Sequence, residues 1–229
     1  MDTTVTVYTP AKINILLDIG AKGASGFHEL HSLFQMVDLC DTLTVTFMEE
    51  DPSITVTSEP FKLPAQNTLT RGWELFCKEI GRPLGCRVHI RKQIPPGAGL
   101  GGGSSNAAGL LRLLNDWTGR PVGELRLQEL ARSIGSDVPF FLGTSAAWVE
   151  GTGEVLVPVA PRVLSGVLVK PEFEIATPWA YSALDESRGQ GASSWSMETR
   201  RADCIDAYAH QVPSAWIFFN SFDSVLERR

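Results

Sequence analysis

The residues best suited to chemistry lie between Pro95 and Ala108, in the run Pro95-Pro96-Gly97-Ala98-Gly99-Leu100-Gly101-Gly102-Gly103-Ser104-Ser105-Asn106-Ala107-Ala108. Five glycines in seven positions remove the Cβ atoms that would hold a backbone away from a bound anion. Upstream, Cys86 to Ile94 alternates apolar Val88, Ile90 and Ile94 with polar His89 and Arg91, the period of a strand. Downstream, Ser104 or Ser105 is placed to cap a helix whose apolar face is Ala107, Ala108, Leu111, Leu114 and Trp117. A strand, a glycine loop and a helix N-terminus together aim free backbone N–H groups at a phosphate. A flexible linker would lack both the periodic strand and the capped helix. The loop does not end in Gly-Lys-Ser/Thr, and no alternating βαβ pattern surrounds it, so it is neither a Walker A loop nor a dinucleotide fingerprint.

Two further places carry polar groups in apolar settings. In Pro10-Ala11-Lys12-Ile13-Asn14-Ile15-Leu16-Leu17-Asp18-Ile19, Lys12 and Asn14 lie two apart and share one face of a strand. The plain alternative is an edge strand with two solvated side chains. In Ser136-Asp137-Val138-Pro139-Phe140-Phe141, Asp137 is either a helix cap or a functional carboxylate. Phe27-His28 on a loop suits the holding of a flat heterocycle. His28 and His31 have no third partner nearby, so no metal site is expected.

The elements that must position these residues follow in order. Thr3–Tyr8 and Pro10–Ile19 read as strands, and Gly20–Gly26 as a loop. Leu33–Val37 and Thr42–Met48 read as two strands joined by a turn at Asp38-Leu39-Cys40-Asp41, and Ser53–Ser58 as a third. After Asn67 a helix carries Leu69, Trp73, Phe76 and Ile80 and stops at Gly81. Val122–Ile134 reads as another helix. Ala146–Glu150 and Glu154–Pro158 form a hairpin, and the stretch from Pro158 to Gly166 is a plausible boundary. Val167–Lys170 reads as a short strand and Thr177-Pro178 as the start of a helix bearing Trp179, Tyr181 and Leu184. Arg188–Ser196 reads as a polar loop. Ser214–Arg229 is helical in pattern, with Trp216, Phe219, Phe222 and Val225 or Leu226 on one face.

Composition sets the outer limits. The 229 residues include 43% hydrophobic residues, enough for a sizeable core. The net charge of −6 argues against nucleic acid or an anionic membrane as partner. No eighteen-residue apolar run occurs and no signal segment opens the chain, which argues against membrane insertion and export. Cys40, Cys77, Cys86 and Cys204 sit singly, as in a reduced cytoplasmic protein with neither zinc nor a disulfide framework.

The segments Pro10–Ile15, Gly26-Phe27-His28-Glu29-Leu30, Pro96–Ala108 and Gly135-Ser136-Asp137-Val138-Pro139 resemble, in order and spacing, the 4-diphosphocytidyl-2-C-methyl-D-erythritol kinase family. That family belongs to the superfamily of galactokinase and of homoserine, mevalonate and phosphomevalonate kinases. The likeness runs from about Val7 through Asn220. It implies phosphorylation by ATP, accompanied by Mg²⁺, of a hydroxyl on the methylerythritol part of the substrate, in the non-mevalonate route to isoprenoid precursors.

The resemblance assigns Asp137 as the base for the attacking hydroxyl, with Lys12 beside it to keep the carboxylate ionised and to offset charge on the transferring group. It assigns the ATP phosphates to Pro96, Gly97, Ala98, Gly99, Leu100, Gly101, Gly102, Gly103, Ser104, Ser105 and Asn106, and places Asn67 and Lys92 near the nucleotide. It assigns the cytidine end to Phe27, His28 and Tyr181, with Asn14 and Thr177 as polar contacts. The family usually has Tyr at the first stacking position and often Phe at the last, so the hydroxyl here has moved from one ring to the other. No protein metal site is assigned, and the partners are the small-molecule substrate and ATP.

The implied fold is α+β in two domains. The first, 1–156, would be a kinase domain like the second domain of ribosomal protein S5; the second, 157–229, would be a ferredoxin-like α/β sandwich, with substrate in the cleft between them. The family carries a further Gly-Thr/Ser-Gly-Ala segment and closing strands beyond the position of Arg229, so the second domain is expected to be incomplete, with unpaired strand edges. The alternative reading is a catalytically impaired relative acting as a nucleotide-binding module. A sister kinase for homoserine or mevalonate is argued against by Phe27, His28 and Tyr181, which suit a pyrimidine.

Overall fold

A computed structural model describes residues 2–24, 26–172, 175–188 and 200–226. Strand β1 spans Thr3–Lys22 without a break. Two strands were expected there, but Pro10 fits an extended backbone and nothing else in the run turns the chain. Strand β2 spans His28–Met48, again where two shorter strands and a turn were expected. Asp38-Leu39-Cys40-Asp41 makes no turn because the Asp41 side chain serves distant partners: it accepts the N–H groups of Gln93 and Ile94 at 2.8 and 2.9 Å.

Contacts gather the chain into two units, each assembled from separated stretches. The first comprises Met1–Lys12 with Met36–Thr144, and the second Ile13–Gln35 with Ser145–Arg229. Both β1 and β2 therefore contribute to each unit.

In the first unit, β3 (Ile54–Glu59) runs parallel to β4 (Gly85–Arg91), and β4 pairs antiparallel with the end of β2, from Thr42 opposite Arg91 to Met48 opposite Gly85. The alternation read in β4 holds: Cys86, Val88 and Ile90 are buried, and Arg87, His89 and Arg91 are exposed. Leu43, Val45 and Phe47 of β2 are buried likewise. Helices α1 (Thr68–Ile80), α2 (Gly102–Trp117), α3 (Glu124–Ile134) and α4 (Val138–Gly143) complete the unit. Helix α1 begins at Asn67, whose side chain accepts from Leu69 N and Thr70 N, and ends at Gly81 in the left-handed region.

Helix α2 departs from its expected start. Gly101, at φ 70°, is the N-cap, and Ser104 and Ser105 lie within the first turns. A left-handed glycine lets the helix begin directly from the loop, so neither serine is needed as a cap. Trp117 is partly exposed, yet its ring stacks on Phe47 with centroids 4.6 Å apart.

In the second unit, β5 (Ala146–Glu150) pairs antiparallel with β2, and β6 (Val155–Pro158) with β5. β7 (Phe219–Asn220) lies parallel to β1 at Leu16 and Leu17. Helices α5 (Thr177–Arg188), α6 (Arg201–His210) and α7 (Asp223–Leu226) surround them. Ile15, Leu16, Leu33, Trp148, Tyr208 and Trp216 form one core.

Two expectations fail in this unit. Val167–Lys170 forms no strand; Val167 and Val169 are 92% and 81% exposed, with no ladder to satisfy their backbone. The helix expected over Ser214–Arg229 is instead a 3₁₀ turn (Pro213–Ala215), then β7, then the short α7. Pairing of Phe219 with β1 outweighs the helical period there. The loop expected at Arg188–Ser196 falls outside the described residues, except Arg188, which ends α5. Helix α6 was not foreseen. Its signal was the spacing of Cys204, Ala207 and Tyr208, the residues it buries.

All four cysteines are free, and burial pushes the Cys86 thiol up to about 12. Among the described residues, no helix is long and apolar enough to cross a membrane. Trp148 is fully buried, so Trp148→Ala is expected to remove about 3–5 kcal/mol of unfolding free energy. Urea denaturation measures this, and an unchanged midpoint would contradict the core assignment.

Candidate active site

The glycine loop owes its shape to alternation of backbone hand. Gly97, Gly99 and Gly101 have φ of 68°, 72° and 70°, a conformation L side chains rarely adopt. Alternating the hand of successive residues turns consecutive N–H groups toward one side and makes an anion nest. The loop borders a cavity of about 220 Å³ lined by Pro95 through Ser104, together with Thr68 and Lys92. Thr68 opens α1 and Gly102 opens α2, so two helix N-termini add their positive dipole ends to the same cavity. Thr68 also donates its hydroxyl to Gly103 O at 2.8 Å and ties the two helices together.

Lys12 and Asp137 meet in this unit. Lys12 Nζ lies 3.5 Å from Asp137 Oδ2, with side chains 7% and 29% exposed. Asp137 occupies the N-cap position of α4 yet makes no capping hydrogen bond from its side chain. Of the two readings left open by sequence, capping is therefore not the one adopted. Lys12 is anchored by its backbone N–H, which donates to Leu100 O at 2.9 Å. A Cβ added at Gly101 would fall 2.9 Å from the Phe141 ring and 3.1 Å from Lys12 Cγ. The loop, the lysine and Phe141 of α4 are thus packed to contact.

Beneath the loop lies a polar cluster that sequence reasoning missed in part. Asp41 is fully buried. Its Oδ2 accepts from Lys92 Nζ and from Asn106 Nδ2, the latter at 3.0 Å. Asn106 Nδ2 also donates to Thr9 Oγ1 at 2.7 Å. Lys92 and Asn106 had been singled out, but Asp41 resembled a turn residue and Thr9 an ordinary strand residue. Neither has a local signal, because their partners lie 32 to 97 positions away in the chain. Asn67 does not line the cavity; its side chain caps α1 and donates to Pro64 O. Ser105 is buried, and its hydroxyl has no hydrogen-bond partner.

The second unit brings together His28, Tyr181 and Asn14. His28 starts β2; its Nδ1–H donates to Gly20 O at 3.1 Å, and its Nε2 lies 3.3 Å from Asp185 Oδ1. The Tyr181 ring sits 5.2 Å from His28 at 35°, with Phe222 edge-on behind it at 5.2 Å. Asn14 Nδ2 donates to Ser32 Oγ at 2.9 Å. Phe27 is 66% exposed, and Thr177 is an exposed residue at the start of α5. Asp185 and Arg188 on α5 were not anticipated. Arg188 Nη1 donates to Ile19 O and Gly20 O, holding the carbonyl that also holds His28.

An anion nest at a helix N-terminus and a paired lysine and aspartate thus lie in the same unit. The family model described as the GHMP kinases N terminal domain matches residues 67–145. A solved homoserine kinase from Cytophaga hutchinsonii shares the fold at 16% identity, with TM-score 0.62, over 93% of this chain and 68% of that one. A curated relative from Treponema pallidum (strain Nichols), named 4-diphosphocytidyl-2-C-methyl-D-erythritol kinase, is 40% identical over 223 residues, 96% of this chain and 77% of the relative. A crystal structure titled 4-(cytidine 5'-diphospho)-2C-methyl-D-erythritol kinase aligns at TM-score 0.73 and 31% identity over 98% of this chain and 78% of that chain. The chain belongs to the 4-diphosphocytidyl-2-C-methyl-D-erythritol kinases.

Gly101→Ala forces a methyl group into Phe141 and Lys12 from a left-handed residue. It is expected to lower turnover with ATP by about 100-fold, the usual penalty for misplacing a reacting group by an ångström. Steady-state kinetics check this, and near-normal turnover would show that the contact does not position the site.

Proposed function

We propose that the chain transfers the γ-phosphoryl group of ATP to a hydroxyl on the methylerythritol part of 4-diphosphocytidyl-2-C-methyl-D-erythritol, supplying the non-mevalonate route to isoprenoid precursors. The observation that carries the residue roles is the Lys12–Asp137 pair in the same unit as the glycine nest. Phosphoryl transfer asks little covalent chemistry of a protein; it asks for placement and for positive charge where oxygen atoms gather negative charge.

On this reading, Asp137 takes the proton from the acceptor hydroxyl as oxygen attacks the γ-phosphorus. Its side chain has no capping duty, and a carboxylate within reach of the hydroxyl is suited to that task. Lys12, beside it, offsets charge on the transferring group. The N–H groups of Gly97 to Ser104, with the dipoles of α1 and α2, hold the phosphates. In the second unit, Phe27, His28 and Tyr181 take the cytosine ring, with Asn14 and Thr177 as polar contacts. Stacking tolerates the exchange of Phe and Tyr between the two ring positions.

Mg²⁺ enters as the nucleotide's companion. Among the described residues, no group of three or more His, Cys, Asp or Glu could hold a metal by itself. An ion that accompanies a nucleotide is retained largely by phosphate oxygens and water, with few protein ligands. When bound, it neutralises phosphate charge. The reading requires no nucleic-acid partner, and it places the chain in the cytoplasm, in keeping with four unpaired thiols.

Asp137→Asn tests the assignment. Turnover is expected to fall by about 10²–10⁴-fold, while ATP affinity measured by calorimetry stays close to that of the wild type. Near-normal turnover in this variant would remove Asp137 as the base.

A further inference from the structure

A carboxylate with no exposed surface persists only where its charge is answered, and Asp41 is answered from four sides. Oδ1 accepts the backbone N–H groups of Gln93 and Ile94, which lead into the glycine loop. Oδ2 accepts from Asn106 on α2 and from the Lys92 ammonium. Thr9 on β1 closes the cluster: its hydroxyl donates to Asp41 O at 3.3 Å and accepts from Asn106. Asp41 therefore joins β1, β2, the chain after β4 and α2 beneath the loop.

Lys92 belongs at once to this cluster and to the cavity above it. It is only 8% exposed, yet it lines the cavity with Pro95 through Ser104. An ammonium has three N–H donors; Asp41 takes one, and Asn106 Oδ1, at 3.5 Å, takes a second weakly. A Cβ built at Gly102 would lie 3.2 Å from Nζ, so the ammonium rests against the first turn of α2. A cation there is opposed by the helix dipole unless an anion stands beside it. Asp41 is one such anion, and a bound phosphate would be a second.

We propose that Asp41 is a positioning residue for the phosphates of the nucleotide. It holds the Lys92 ammonium in place at the N-terminus of α2, with a donor left for a phosphate oxygen, and it sets the entry of the glycine loop through Gln93 and Ile94. This rests on the reading of the cavity as the nucleotide site, and it adds a residue that touches neither substrate.

The test measures ATP binding by calorimetry on the full chain, with unfolding midpoints alongside, for Asp41→Asn, Lys92→Met and the double variant. Asn keeps an oxygen for Gln93 N and Ile94 N but sets an amide NH₂ against the Lys92 ammonium and the Asn106 amide. Asp41→Asn is expected to weaken ATP binding by about tenfold or more, while binding of CMP, the probe for the pyrimidine pocket, stays unchanged. The double variant removes both buried charges, so it is expected to regain the wild-type unfolding midpoint and to bind ATP no more weakly than Lys92→Met, because Asp41 acts through that lysine. A purely structural Asp41 predicts instead that Asp41→Asn weakens ATP binding by the same factor whether residue 92 is Lys or Met. That result overturns the proposal, as does wild-type ATP affinity in Asp41→Asn or a wild-type chain that binds no ATP. If Asp41→Asn does not fold, the double variant compared with Lys92→Met decides. Because the readout is binding, a wild-type chain that binds ATP but transfers nothing counts against the proposed function and leaves this inference standing.

Discussion

The contact of Gly101 with Lys12 and Phe141 leaves no space for a side chain, and much of the first unit is arranged around it. Its left-handed backbone ends the nest and starts α2 in one residue. The same contact brings the loop against the lysine that pairs with Asp137. A candidate phosphate site and a paired carboxylate could be built separately in principle. Here the loop and the lysine of that pair are in contact, so the geometry of one constrains the geometry of the other. Buried charge under the loop completes the arrangement: Asp41 and Lys92 are removed from water together, each stabilised by the other and by amide partners.

Strand β1 contributes residues to both units. Lys12 belongs to the first unit and Asn14, two residues on, to the second. The second unit builds its candidate pyrimidine pocket on the same strand and on β2, with α5 supplying Tyr181, Asp185 and Arg188. The Gly20 carbonyl is a hub there, accepting from both His28 and Arg188. A histidine fixed at one nitrogen has a defined ring orientation, which is what a stacking partner for a flat base needs.

What could be read from sequence was what local chemistry decides. The glycine loop, α1 with its Asn67 cap and Gly81 stop, α3, and the hairpin of β5 and β6 each rest on neighbours within a few residues. Family resemblance added the pairing of Lys12 with Asp137, which spacing alone could not suggest. What escaped depends on distant partners. Asp41 sits in a stretch that reads as a turn until Gln93, Ile94, Lys92 and Asn106 are brought to it. Phe219 fits a helical stripe with Trp216 and Phe222, and yet it joins a sheet because Leu16 is there to pair with it. Val167–Lys170 shows the converse: a β pattern that finds no ladder stays irregular. Division of β1 and β2 between two units is equally invisible in sequence, since no break in period marks it.

The most direct test of the account is to incubate the wild-type 229-residue chain with ATP and 4-diphosphocytidyl-2-C-methyl-D-erythritol and follow the acceptor by mass and fragmentation. The account predicts that the acceptor gains one phosphoryl group, on the methylerythritol part, with the cytidine end unaltered, and that homoserine and mevalonate are not phosphorylated at comparable rates. ATP binding without transfer to this acceptor, or equal transfer to homoserine or mevalonate, would contradict it.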